Sequence, residues 1–408
     1  MSRQGQRSRD FNEIEVSVVM PCLDEAKTLR TCIEKARNGF EEHDLRGEIV
    51  VVDNGSTDAS PLIARQCDVI LAHQPVRGYG AALRKAFEMS RGHFIVMADA
   101  DDSYDFGEVH RFVEKLREGW DLVMGSRREG IILPGASPWL HRFVGVPFLT
   151  WILNLLYQVG ISDAHCGMRG FRRAALNRLD LRTTGMELAS EMLIKAAKAG
   201  LKITEIPIVL YPDGRDRPPH LRSIRDGWRH LRFMLLFAPN ALFLLPGVLV
   251  GGVGLSLLAA LLLRGRLHLG KVSLGENTMV LAMMMVVIGT QVLYLGLFTK
   301  LLTYTRFNTP DRRHVSLLLK LSKLEIGLLF GAVLLLVGLS GDGFVLKIWS
   351  EAGYGQLGLD TIRYSLFFST MVMMGVQVIF SSFFLSMIGI DRATYAGDVI
   401  DFDASSES

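Results

Sequence analysis

Residues Phe94–Tyr104 read FIVMADADDSY, a run of apolar residues that ends abruptly in three carboxylates, Asp99, Asp101 and Asp102. The run predicts a buried strand whose C-terminal end delivers acids to a crevice, and open α/β sheets bind their ligands along that edge. Two carboxylates spaced i, i+2 can hold a hard divalent cation together with the phosphates of a nucleotide. The same residues also suit a strand followed by an acidic, solvated turn, because a motif this short is not specific by itself.

Working outward, Val16–Met20 (VSVVM) reads as a first strand ended by Pro21, and Asp24–Asn38 carries apolar residues at helical spacing. Glu48–Asp53 (EIVVVD) is a second strand ending in an acid, and the NGSTD that follows predicts a turn and a helix N-cap at Ser56 or Thr57. Asp68–Ala72 reads as a third strand, Gly78-Tyr79-Gly80 opens a helix to about Ser90, a further helix covers Glu108–Glu118, and Leu122–Ser126 is a fifth strand. Strands alternating with helices imply a doubly wound, mostly parallel sheet. Asp53 and Asp99 should then project into one crevice. Asp53 and Glu25 can accept hydrogen bonds from a nucleobase or ribose, although an Asp after a strand is also an ordinary turn residue. Arg77-Gly78-Tyr79-Gly80 resembles a phosphate-approach loop at a helix start. It is not GxGxxG and no Walker lysine follows, which disfavours an NAD enzyme and a P-loop ATPase.

The chain has 408 residues and a net charge of +3, with a mean hydropathy of +0.26 that is unevenly spread. Residues 1–230 read as a water-soluble α/β domain and residues 238–390 as membrane. Four segments reach the length of about 20 residues needed to span a bilayer: Pro239–Leu263, Met279–Leu302, Leu324–Leu339 and Ser365–Ile390. Basic residues crowd ahead of the first (Arg215, Arg217, Arg222, Arg225, Arg229, Arg232) and between the second and third (Arg306, Arg312, Arg313, Lys320, Lys323). The positive-inside rule therefore predicts a multi-pass protein of the cytoplasmic membrane with its soluble domain and both termini in the cytoplasm. MSRQGQRSRDFNE lacks an apolar core and reads as a basic tail rather than a signal peptide. The four cysteines, Cys22, Cys32, Cys67 and Cys166, show no CxxC spacing, which argues against a disulfide framework and a zinc site. No basic-aromatic patch points to nucleic acid.

VVMPCLDE, VVDNGSTD, RGYGAALRKA, MADADDS and MGSRR occur in an order that resembles glycosyltransferase family 2, whose fold is GT-A. SDAHCGMRGFRR, GMELASEMLIKA and ITEIPIVLYPDGRDRPPHLRS are similar to its dolichol-phosphate mannose and polyprenyl-phosphate glucose synthase branch. The resemblance covers Val16–Arg232. It implies a cytoplasmic GT-A domain over residues 15–232, between a tail (1–14) and a four-helix transmembrane domain (237–392), with a C-terminal tail (393–408). It implies transfer of glucose or mannose from a nucleotide sugar, UDP-glucose or GDP-mannose, to a polyprenyl phosphate such as an undecaprenyl or dolichyl phosphate. Carried over residue by residue, Pro21, Glu25, Asp53 and Gly78 would hold the nucleotide. Asp99 and Asp101 would bind Mg²⁺ or Mn²⁺ and the diphosphate, with Ser103 at the position of a further metal ligand. Arg127, Arg142, Arg222 and Ser223 would serve the acceptor phosphate. Asp163, Arg169 and Glu191 would line the sugar and acceptor side, with Arg169 and Glu191 among the catalytic groups. Asp102 has no counterpart in the pattern.

Pro138–Gly160 is apolar and aromatic and reads, with residues 220–236, as helices at a membrane surface; an ordinary core helix pair is the alternative. Pro212–His220 reads as a loop that closes over the diphosphate. Two other functions remain open: a glycosyltransferase with a hydroxyl acceptor, which needs a general base such as Asp102, Glu187 or Glu191, and a polyprenyl-linked sugar carrier or flippase whose soluble domain only binds. The junction RDGWRHLRF lacks the QxxRW of processive polysaccharide synthases. An assembly of like chains is compatible with the sequence.

Overall fold

Val16–Cys22 forms β1 and Gly47–Asp53 forms β2, apolar runs buried almost throughout and paired in parallel so that Cys22 lies opposite Asp53. The structure is a computed structural model that describes residues 14–215, 223–307 and 324–404. The chain divides into two units at Met234 and Leu235. The expected tail at residues 1–13 lies outside the described residues.

In the first unit, Ile70–His73 (β3), Phe94–Met97 (β4), Leu122–Ile132 (β5), Arg169–Arg172 (β6) and Ile203–Leu210 (β7) complete a seven-stranded sheet in the order β3-β2-β1-β4-β6-β5-β7. Only β6 runs antiparallel to its neighbours β4 and β5; the other pairings are parallel. The helices are Leu29–Glu42 (α1), Ser60–Gln66 (α2), Tyr79–Met89 (α3), Val109–Arg117 (α4), Val146–Tyr157 (α5), Arg173–Asn177 (α6), Leu188–Lys198 (α7) and Ser223–Leu236 (α8). This is the doubly wound, mostly parallel sheet that the alternation predicts. One apolar cluster runs from Val16, Val18 and Met20 through Val51 and Val96 to Phe106 and Phe112.

Three local readings need correction. The first helix starts at Leu29, not Asp24, because Asp24 takes a left-handed φ of +56° and its carboxylate accepts the Thr57 N–H at 2.6 Å. Helix α2 starts at Ser60 rather than near Ser56, whose hydroxyl is taken by the Asp24 N–H. Strand β5 runs on from Ser126 to Ile132, with an irregular register between Ser126 and Ile131.

In the second unit, four helices are long and apolar enough to cross a membrane: Asn240–Arg264, Glu276–Leu302, Leu324–Glu351 and Leu359–Ile388. A short hairpin, Leu267–Leu269 with Val272–Leu274 (β8 and β9), joins the first two. The third span runs well past the expected Leu339, because Asp342 is carried within it, accepting the Ser369 hydroxyl of the fourth span at 3.1 Å. In lipid, helices have no hydrophobic drive toward one another and pack where small residues let backbones approach. Gly247, Gly251 and Gly254 face the second span in this way, and a Cβ on Gly289 would lie 2.3 Å from the Gly251 nitrogen. Gly289→Leu should therefore overpack this contact and cost about 1–3 kcal/mol, read as a lower unfolding temperature in detergent; an unchanged temperature would mean the two helices do not meet there.

Candidate active site

The acidic loop follows β4 directly. Asp101 is buried, and its Oδ1 accepts both the Ser103 N–H (3.1 Å) and the Ser103 hydroxyl (2.5 Å). Ser103 therefore orients the Asp101 carboxylate. The Tyr79 hydroxyl donates to Asp99. Burial first, and the Asp101 charge second, push the Asp99 carboxyl up to about 6. Asp102 turns away with φ +63° and pairs with Lys35 at 2.8 Å, so the third acid is a structural one.

The charge opposite these acids is Arg215, in the segment after β7. Its guanidinium lies 2.7 Å from Asp101 Oδ2, 3.2 Å from Glu25 Oε1 and 3.1 Å from Asp213. The segment is strapped to the acidic loop by Tyr211 N–H to the Ser103 carbonyl and Gly214 N–H to the Asp101 carbonyl, each 3.0 Å. Arg217 and the rest of the expected closing loop, residues 216–220, lie outside the described residues, as does Arg222; Ser223 opens α8.

These groups border a crevice of about 320 Å³ whose walls include Pro21, Glu25, Asn54, Tyr79, Asp99 and Asp101. Asp53 is not among them. Its carboxylate accepts from Ser56 N–H (3.0 Å), Gly55 N–H (3.3 Å) and His73 Nδ1 (3.0 Å). Burial alone would raise its pKa, but the Ser56, His73 and Gly55 hydrogen bonds hold it below the usual carboxylate value. The turn reading of Asp53 is thus the one its contacts satisfy. Asn54 takes the wall position, donating to the Gln74 and Val76 carbonyls and accepting the Gly78 N–H at 2.7 Å. Gly78 has φ +144°, and a Cβ there would meet the Thr184 carbonyl oxygen at 2.2 Å, while the Ala81 N–H donates to that same carbonyl. The Gly78 amide is thus engaged by Asn54, and the glycine at this position allows close packing against Thr184.

Arg127 is clamped by Asp163, Nε to Oδ2 at 2.6 Å and Nη2 to Oδ1 at 2.8 Å. Burial works against ionisation of Asp163, but the Arg127 charge outweighs it and holds the carboxyl low. Arg127 borders a second crevice of about 430 Å³ with Arg128, His141, Arg142, Phe143 and Pro147. Two expected groups are elsewhere. Arg169 is fully buried and donates to the carbonyls of Cys166 (2.9 Å), Ala164 (3.0 Å) and Ala189 (2.7 Å), so it ties loops together beneath the site, with no carboxylate partner among the described residues. Glu191 is buried and accepts from Arg182 N–H, Thr183 N–H and hydroxyl, and Lys195. Neither borders a described crevice.

The Trp139, Phe143, Phe148, Trp151 and Leu155 side chains are each about half exposed or more, whereas Leu149, Thr150 and Leu153 face inward. An apolar stripe on the outer face of α5 is the arrangement of a surface-binding helix. Arg128, Arg215, Asp226 and Arg229 also border the crevices and were not expected as site residues; only the RDGWRHLRF junction offered a signal for the last two.

Residues 17–180 match the profile of Glycosyl transferase family 2, and residues 297–389 match the family 2 C-terminal transmembrane region. The low-salt glycan biosynthesis hexosyltransferase Agl6 of Haloferax volcanii is 38% identical over 375 residues, 92% of this chain and 89% of that one. The chain belongs to glycosyltransferase family 2. It is a glycosyltransferase with a C-terminal membrane region. A further relative is the dolichyl-phosphate hexose transferase of Haloferax volcanii, 34% identical over 199 residues, 48% of this chain and 82% of that one. A solved structure of glucosyl-3-phosphoglycerate synthase from Mycobacterium tuberculosis, in complex with Mn²⁺, UDP and glucosyl-3-phosphoglycerate, is 22% identical with a TM-score of 0.43, covering 55% of this chain and 78% of that one.

Two outcomes test this geometry. Asp163→Asn removes the charge partner of a buried arginine and should cost about 3–5 kcal/mol of stability, measured by thermal unfolding. His230 on α8 is buried, its Nδ1 2.8 Å from the Ser190 hydroxyl, and burial with the nearby Arg169 charge lowers its pKa to about 4. Between pH 6.5 and 4 the unfolded chain binds a proton that the folded chain refuses. Stability therefore falls on acidification through that window, by at most about 3 kcal/mol, and His230→Asn should flatten the slope of unfolding temperature against pH.

Proposed function

We propose that the enzyme transfers a hexose from a nucleotide sugar to a polyprenyl phosphate at the cytoplasmic face of the membrane. The observation that carries this reading is the second crevice. It combines Arg127, Arg128 and Arg142 with apolar Phe143, Val146 and Pro147, beside the outward apolar stripe of α5. Guanidinium forks match phosphate geometry, and an apolar rim suits the isoprenoid that follows the phosphate. The charge of Arg127 is felt at Asp99, which places the two crevices within electrostatic reach. The named activities of the Haloferax hexosyltransferase and dolichyl-phosphate hexose transferase support the same class.

In the donor crevice, Pro21, Glu25 and Asn54 would bind the nucleoside side. Asp99 and Asp101 would hold Mg²⁺ or Mn²⁺. They fit a hard cation: two carboxylates, one pushed up by burial and then by its neighbour, with Arg215 already standing in as a cation at Asp101. Among the described residues no three His, Cys, Asp or Glu side chains are placed to hold a metal ion together, so the nucleotide's own oxygens and water would complete the shell. Bound there, the ion would act as a Lewis acid on the departing diphosphate.

The acceptor needs no strong base. A phosphate monoester has a second pKa of about 6, so its oxygen is anionic near pH 7. That oxygen attacks the anomeric carbon, the bond from that carbon to the nucleoside diphosphate breaks, and the diphosphate leaves with the electron pair. A single displacement inverts the centre, giving a β-linked lipid from an α-linked donor. Arg127, held rigid by Asp163, would fix the lipid phosphate, and Arg142 would assist from the rim. A hydroxyl acceptor would need a base, and of the three candidates Asp102 is paired with Lys35, Glu191 is enclosed by Thr183, Arg182 and Lys195, and Glu187, whose buried Oε2 has no hydrogen-bond partner among the described residues, lines neither crevice. That weighs against the hydroxyl-acceptor reading.

UDP-glucose is the first donor to test and GDP-mannose the second. With undecaprenyl phosphate and Mg²⁺ or Mn²⁺ in detergent, one labelled donor should label the lipid, and Asp101→Ala should lose at least about 100-fold of the rate. Binding of both donors with no lipid labelled would overturn the acceptor.

A further inference from the structure

The junction RDGWRHLRF supplies a wall of the donor crevice that the family-based roles leave unassigned. Asp226 and Arg229 of α8 border it together with Asp99, Tyr79 and Met186. Spaced i, i+3, they share one helical face, while Trp228 is 58% exposed on another. The face is fixed. His230, one turn beyond Asp226, is buried, bonds Ser190 at 2.8 Å and packs edge-on against His165 at 4.6 Å. His165 in turn lies two residues from Asp163, the clamp on Arg127.

The other walls leave a chemical gap. Asp99 and Asp101 suit the cation, Glu25 and Asn54 are on the nucleoside side, Arg215 is paired with Asp101 and Glu25, and Pro21, Leu23, Ala82 and Met186 are apolar. A hexose presents vicinal hydroxyls, which a carboxylate with two oxygens can accept as a pair. Asp226 is 7% exposed at the crevice edge. Arg229 stands 3.6 Å from Asp226 Oδ1, longer than a hydrogen bond, with its side chain 39% exposed, so its fork can serve an anion as well.

We propose that Asp226 is a specificity-determining residue that accepts the hydroxyls of the donor hexose, and that Arg229 contacts the donor diphosphate. This rests on the nucleotide-sugar part of the proposed function and not on the lipid acceptor. Helix α8 ends at Leu236, and the first span that is long and apolar enough to cross a membrane begins at Asn240.

The test is donor binding by calorimetry on the full-length protein in detergent, with Mn²⁺ and no lipid acceptor. Wild type, Asp226→Asn and Arg229→Gln are compared with UDP-glucose, UDP-galactose, GDP-mannose and the free diphosphates UDP and GDP. Asp226→Asn should weaken the preferred nucleotide sugar about 10- to 100-fold, as expected for a lost hydrogen bond to a charged group, narrow the preference between epimers, and leave the free diphosphate within about 2-fold. Arg229→Gln should weaken nucleotide sugar and free diphosphate alike. Unchanged sugar affinity and epimer ranking in Asp226→Asn would overturn the proposal, as would equal loss of sugar and diphosphate binding. If Asp226→Asn does not fold, Asp226→Glu must shift the epimer ranking, and an unshifted ranking overturns it. Wild type that binds donor but labels no polyprenyl phosphate would refute the acceptor reading while leaving this comparison decisive.

Discussion

The site is organised around a charge imbalance. Two carboxylates, Asp99 and Asp101, are carried to a sheet edge, where burial first and the Asp101 charge second disfavour ionisation of Asp99. The Tyr79 hydroxyl relieves part of this, and the cation in contact with the acids among the described residues is the Arg215 guanidinium, shared among Asp101, Glu25 and Asp213. Around this balance the neighbourhood is braced: Ser103 aims Asp101, Tyr79 donates to Asp99, and two backbone hydrogen bonds hold the 211–214 segment along the acidic loop. A divalent ion arriving with a nucleotide would compete with Arg215 for Asp101, releasing the arginine toward the negative charge that comes with it.

Much of this was legible in the residues because apolar runs of period suited to buried strands state their own ends. EIVVVD and FIVMAD each announce where a strand stops and what it presents, and the four membrane spans follow from length and hydropathy. What was not legible depended on partners distant in sequence. Asp53 and Asn54 are adjacent and both polar; which one faces the crevice is decided by His73 and Gly78, not by the pair itself. Strand β6 reads RGFR, with no apolar run, and it is a strand because Arg169 finds three carbonyls to satisfy it in the core. Glu191 looks like a base until Thr183, Arg182 and Lys195 are seen to surround it.

The resemblance to family 2 carried the reaction class and the order of the motifs, but not the division of labour between charged groups. It assigned Arg169 and Arg127 alike to the ligand side. The structure separates them by their partners: Arg127 has a carboxylate clamp at a crevice mouth, whereas Arg169 is fully buried and donates to three backbone carbonyls and the Met192 sulfur. A guanidinium neutralised by carbonyl dipoles is a brace, and one held by a carboxylate keeps a fixed orientation toward what lies beyond it.

The outward stripe of Trp139, Phe143, Phe148, Trp151 and Leu155 has a practical corollary. Removing every membrane span by truncation would not yield a freely soluble enzyme, since a fragment ending before Asn240 would still carry a ridge of aromatic and aliphatic side chains. Such a fragment should behave as a peripheral, lipid-partitioning protein, and in lipid-free buffer the same ridge would become its route to self-association.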